Sequence, residues 1–201
     1  MTIRGFFLVL PAALLLLVPV ASSAGPLELG LKAGINYASL SGDYADLKDA
    51  KSKTGYVVGP FLSLGLGASL GLQGEALFSA EGAKTGGPNG RVDLKYVEVP
   101  VLLRWTLLPG PVKPFVYAGP SFGFSLGGEV KSSGFPDRDL KDQLRPVVRN
   151  GAAGAGVRLD LLGINLLGDL RYTRSLQSIY DEPGILSAYS SVWTLSAGIV
   201  F

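Results

Sequence analysis

The chain has 201 residues, with 18 basic and 16 acidic side chains, no cysteine and no histidine. A balance this close to neutral provides no electrostatic footprint for nucleic acid, and without cysteine there are neither disulfides nor thiolate metal sites. Histidine, the commonest general base and metal ligand, is missing too, so no metal site and no cofactor is expected.

Arg4 is followed by an apolar stretch from Phe6 to Val20, broken by Pro11 and Pro19, and then by the small residues Ser22, Ser23 and Ala24. The stretch is too short and too interrupted for a good spanning helix. Its order of charge, apolar run and small residues predicts a cleavable signal peptide over 1–24, ahead of one domain over 25–201. Mean hydropathy is nevertheless +0.34, and the 28 glycines interrupt the remaining apolar runs. A membrane chain without spanning helices must close a barrel, because every backbone polar group in lipid needs an internal partner.

Taken in order, the chain alternates with period two. Over 28–38, Leu29, Leu31, Ala33, Ile35 and Tyr37 share one face, opposite Glu28, Gly30, Lys32, Gly34 and Asn36. Residues 39–54 are mostly polar and read as a long loop. A second strand is predicted near 55–67 and a third from 70 to about 81, joined by a tight turn. The third sets Leu70, Leu72, Ala76 and Phe78 against Gln73, Glu75 and Glu81. After a glycine-rich loop over 82–92, a strand near 93–106 carries Val97, Val99, Val101, Leu103 and Trp105 opposite Glu98 and Arg104.

Strands near 112–126, 147–159 and 164–176 follow, and 191–201 closes the series. Their polar parities carry Tyr117 and Ser121, then Asn150 and Arg158, then Asp169 and Arg171. The connection over 127–146 is the longest and most charged, with Phe135 and Pro136 amid mixed charge, and 177–190 is the fourth long loop. Eight strands with connections alternating long and short predict an all-β, eight-stranded, antiparallel up-and-down transmembrane β-barrel, with short turns and both mature ends in the periplasm.

Alternation alone also fits a soluble lipocalin-like carrier, which swaps inside and outside. Lys32, Glu75, Glu98, Arg104, Arg158, Asp169 and Arg171 all fall on the small or polar parity. A Lys or Arg at mid-bilayer costs about 2–4 kcal/mol, so four of them facing lipid would offset a typical domain's whole stability. In a membrane that parity faces the lumen, where these seven residues are expected to pair as internal packing. Lys95, Arg149 and Arg174 fall on the lipid parity near the outer strand ends. There they either snorkel to the interface or contact lipopolysaccharide phosphates, for which arginine is well shaped. Tyr37, Tyr56, Trp105, Tyr172 and Trp193 are candidates for interfacial girdles.

The last strand places Trp193, Leu195, Ile199 and Phe201 on one face. It resembles the closing strand of a bacterial outer-membrane barrel, a resemblance that implies an assembly signal read by the barrel assembly machinery. Further segments are similar to the PorT-type outer-membrane barrel family, porin-like small proteins of Bacteroidetes and relatives. They are GLKAGINY (30–37), GLQGEALFS (71–79), YVEVPVLL (96–103), PFVYAGP (114–120) and DLRY (169–172). The resemblance implies an eight-stranded barrel in the bacterial outer membrane and carries over no catalytic residue. Pro60, Pro100 and Pro120 depart from ordinary strand chemistry, since each removes a ladder donor; bulges or irregular ladder positions are expected there.

An eight-stranded barrel is only wide enough for side chains to fill. The expected function is therefore a structural or surface-interaction role with a lumen plugged by charged side chains, as a monomer in outer-membrane lipid. A narrow porin-like channel is the alternative. No enzyme is expected: without histidine the Ser–His and Asp–His arrangements are unavailable. Asp137, Asp139, Asp142, Asp181 and Glu182 read as solvated loop carboxylates without calcium-loop spacing.

Overall fold

A computed structural model describes residues 27–42, 51–84, 91–131, 138–139, 146–161, 163–177 and 188–201. Residues 1–24, where the sequence predicts a signal peptide, lie outside them. Among the described residues ten strands form, all but the short β7 where apolar and small or polar residues alternate: β1 (Leu27–Gly42), β2 (Lys51–Gly65), β3 (Leu70–Glu75), β4 (Leu77–Lys84), β5 (Arg91–Thr106), β6 (Val112–Lys131), β7 (Arg138–Asp139), β8 (Val147–Leu161), β9 (Ile164–Ser175) and β10 (Ala188–Val200).

β3 and β4 lie end to end between β2 and β5, so they form a single stave. Every described pairing is antiparallel with the chain neighbour, and β10 returns to β1 through a ladder running from Gly30↔Val200 to Gly42↔Ala188. The β5–β6 ladder completes the circle. The result is a closed barrel of eight staves, with β7 a two-residue addition beside the upper end of β6. Closure leaves no long unpaired edge, the condition for placing strands in lipid.

Several strands run further toward the long connections than the alternation predicts, notably β2 from Lys51, β6 to Lys131 and β10 from Ala188. Ladder hydrogen bonds hold the backbone there even where the side-chain pattern has faded. At the opposite end the turns are tight. Gly110 (φ 127°) and Gly163 (φ 94°) adopt the left-handed conformation that a side chain would resist. Both described chain ends lie at this trim end, where the Phe201 amide donates to the Leu29 carbonyl at 2.7 Å.

The third strand, expected to be continuous, breaks at Ala76. Pro60 lies opposite Ala76 on one side, and the pairing jumps from Phe61↔Glu75 to Val58↔Phe78. Ala76 donates to the Pro60 carbonyl at 3.0 Å, but proline has no N–H to return the bond. On the other side Pro100 faces Glu75, and the ladder jumps from Gly74↔Val101 to Leu77↔Glu98. Pro120 removes the next rung, between Leu103↔Ala118 and Pro100↔Ser121. The three prolines thus remove rungs along a diagonal across four neighbouring staves, without changing register. True register shifts occur elsewhere, at Lys95/Tyr96 against β6 and between Ser52 and Tyr56 against β4.

The barrel is inverted relative to a soluble protein. Leu29, Leu31, Ile35, Leu103, Leu170, Leu195 and Ile199 are exposed on the outer wall, while Lys32, Glu75, Asp169 and Arg171 are each only 3% exposed inside.

Candidate functional site

The inward parity of each stave builds the lumen in layers. The central layer takes its side chains from alternate staves: Lys32 from β1, Glu75 from β3, Tyr117 from β6, and Asp169 with Arg171 from β9. A barrel of eight staves has a cross-section that such a set fills. Lys32 Nζ donates to Asp169 Oδ2 at 2.5 Å and reaches Glu75 Oε1 at 3.5 Å. Arg171 Nη2 donates to the same Glu75 oxygen at 2.6 Å, as does Gln73 Nε2 at 2.7 Å. The Tyr117 hydroxyl donates to Asp169 Oδ1 at 3.0 Å, beside Ser196 Oγ at 3.0 Å. The Arg171 guanidinium lies 5.3 Å from the centre of the Tyr117 ring. Two cations meet two carboxylates, so the layer is neutral and cross-links opposite walls.

Room for these side chains comes from inward glycines. A Cβ on Gly154 would sit 2.5 Å from the Tyr117 hydroxyl, and one on Gly156 would sit 2.5 Å from Phe115 Cζ. Towards the trim end Phe61, Leu102, Phe115, Leu167 and Val200 form an apolar cluster, which Tyr117 of the central layer and Ala152 on the layer's outer side extend. Beyond it Arg158 grips both oxygens of Glu28 at 2.5 Å and Asp160 Oδ1 at 2.6 Å. Arg104 sits in this basal group, with Nη1 3.3 Å from Gln73 Oε1 and its centre 5.5 Å from the middle of the Phe115 ring.

Towards the other end Asn36 bridges Ser79 and Thr194, each at 2.8 Å. Glu81 and Glu98 then line a small outer cavity of about 30 Å³ with Tyr96 and Asn150. A second cavity of about 540 Å³ opens at the trim end.

Of the seven predicted lumen charges, Lys32, Glu75, Asp169 and Arg171 meet in the central layer, and Arg104 and Arg158 in the basal one. Glu98 stands apart near Glu81. Beyond the predicted charges, Gln73, Tyr117 and Ser196 complete the central bonds, and in the base Glu28 and Asp160 are the carboxylates that pair with Arg158 and with a further cation, Lys113. Their inward parity was the available signal. Lys95, Arg149 and Arg174 are exposed on the outer wall towards the long connections, with Arg174 paired in register to Gly151. Tyr37, Trp193 and Tyr172 form one row across β1, β10 and β9, the last two with ring centres 4.9 Å apart. Trp193, Leu195, Ile199 and Phe201 are all exposed on the outer parity. Asp137, Asp142, Asp181 and Glu182 lie outside the described residues. Among the described residues no group of three or more His, Cys, Asp or Glu is placed to hold a metal ion.

Solved structures of similar fold are outer-membrane barrels. The attachment invasion locus protein Ail of Yersinia pestis, solved with the heparin analogue sucrose octasulfate, is 18% identical; the match covers 88% of this chain and 100% of that one, with a TM-score of 0.50. Neisserial surface protein A is 14% identical over 87% and 99%, with a TM-score of 0.52. OprG of Pseudomonas aeruginosa is 13% identical over 87% and 95%, with a TM-score of 0.53. No curated protein matches the sequence. The family described as outer membrane protein beta-barrel domain matches residues 20–181. With its polar lumen, apolar outer wall and closed eight-stave sheet, the chain belongs to this outer-membrane β-barrel family and is an integral protein of the bacterial outer membrane.

Proposed function

We propose that this protein is a plugged barrel with a structural or surface-interaction role in the outer membrane. One observation carries the reading: the neutral, cross-linked layer of Lys32, Glu75, Tyr117, Asp169 and Arg171 is stacked on an apolar cluster whose members are at most 5% exposed. An ion crossing the lumen would have to break buried ion pairs and then displace closely packed apolar side chains, and each step is costly in a low-dielectric interior. The reading assigns no reaction to the chain. Its contacts with other molecules would be made by the long connections and the outer wall, including lipopolysaccharide phosphates at Arg149 and Arg174, above the row of Tyr37, Trp193 and Tyr172. Lys95 would serve likewise on β5.

The same reading takes residues 1–24 as a removed signal peptide and Trp193, Leu195, Ile199 and Phe201 as the strand read by the assembly machinery. It takes the mature protein as a monomer. Segments such as YVEVPVLL and PFVYAGP support a finer placement among PorT-type barrels. The test is single-channel recording of detergent-refolded protein in a planar bilayer, with folding checked by a heat-dependent gel shift. A silent bilayer is expected. Reproducible discrete steps, reshaped by Arg104→Ala or Glu98→Gln, would replace the plug with a narrow channel.

A further inference from the structure

The trim end of the lumen holds a cavity of about 540 Å³, lined by Glu28, Ser69, Arg104, Thr106, Lys113 and Arg158 among others. The charges around it do not balance. Glu28 and Asp160 are the carboxylates, and Arg104, Lys113 and Arg158 the cations, among the described residues. Arg158 takes both oxygens of Glu28 and one of Asp160, and Lys113 Nζ takes the other Asp160 oxygen at 2.6 Å. Arg104 is left with a neutral amide oxygen at 3.3 Å and Glu28 Oε2 at 3.9 Å. Both distances exceed the roughly 2.7–2.9 Å of a charge-assisted hydrogen bond.

An arginine with surplus donors, in a concave wall of low dielectric, attracts an anion. Its planar fork suits a carboxylate or phosphate group, and the hydroxyls of Ser69 and Thr106 add donors. The volume is in the range of small-molecule sites. Short turns place this end in the periplasm.

We infer that this basin is a binding site for a small periplasmic oxyanion, carrying carboxylate or phosphate, with Arg104 as its principal contact and Lys113 at the rim. Its being a blind basin rather than a channel entrance rests on the closed lumen proposed above.

The test is isothermal titration calorimetry of refolded full-length protein in a non-ionic detergent at low salt, with inorganic phosphate and with succinate. Saturable binding of either is expected, at about one anion per barrel, and the stronger of the two identifies the chemistry. Arg104→Gln should weaken it about tenfold or more, the loss of a charged hydrogen bond. Lys113→Gln, at a half-exposed position, should weaken it by a smaller factor and decides the matter if Arg104→Gln does not refold. Absence of saturable binding to folded protein overturns the inference, as does binding that neither substitution changes. Channel recordings are independent: conductance together with Arg104-dependent binding would sink the plug and keep the site.

Discussion

Lys32 and Glu75 show how much one side chain carries when it is buried among ionic partners. Glu75 Oε1 accepts from Lys32, Arg171 and Gln73 at once. Glu75→Ala removes one of two anions from a neutral buried layer and leaves two cations sharing Asp169. Breaking a buried ion pair from one side costs about 3–5 kcal/mol, and urea unfolding from lipid vesicles should show a loss of that size. Tyr117→Phe is the milder counterpart. It keeps the ring beside Arg171 and loses the bond donated to Asp169 at 3.0 Å together with the longer one accepted from Arg171 Nε at 3.3 Å, so about 1.5–3 kcal/mol is expected, the range for a hydrogen bond to a charged group.

Strand-level effects follow from pairing and close approach. Tyr117 leans over Gly154, where an added Cβ would meet both its hydroxyl and the Leu170 carbonyl at 2.5 Å. Gly154→Ala must therefore push β8 or the ring aside, and overpacking of this kind costs about 1–3 kcal/mol. The same unfolding assay reads it, with a changed near-ultraviolet tyrosine signal. Pro60 makes the opposite prediction. Ala76 already donates to its carbonyl, so Pro60→Ala supplies the missing return donor. One new slowly exchanging amide should appear at position 60, with stability raised by about 1 kcal/mol. An amide at that position exchanging as fast as solvent would show that the β3–β4 break has another cause.

At the scale of the whole barrel, wall position decides what a charge costs. Leu195 sits outward on a rung with Ile35 and Leu170, midway along β10. Leu195→Arg should cost about 2–4 kcal/mol, the value for arginine near the bilayer midplane, although Arg171 nearby on β9 is tolerated inside. The difference lies in partners: Arg171 has Glu75 and the Tyr117 ring, whereas an outward arginine meets only lipid. A Leu195→Arg variant as stable as the parent in vesicles would contradict the assignment of this wall to the hydrocarbon core.

What the sequence determined by itself was the local part. Side chains alternate along a strand with period two, so the parity shared by Lys32, Glu75, Glu98, Arg104, Arg158, Asp169 and Arg171 could be read directly, and so could the eight staves and the uneven connections. Closure is not local. The same alternation serves a barrel with a polar lumen or one with an apolar cavity, and only the closed sheet, with Leu29 and Leu195 outside and Asp169 inside, decided between them. The choice of partners was beyond the sequence for the same reason. Lys32 meets Asp169 across 137 residues, and Arg158 meets Glu28 across 130, because the stagger of the staves sets which inward residues share a layer. The prolines divide the same way. Each announces a missing donor, but the rung it removes belongs to the neighbouring strand, and only the ladder shows that Pro60 and Pro100 together break the chain at Ala76.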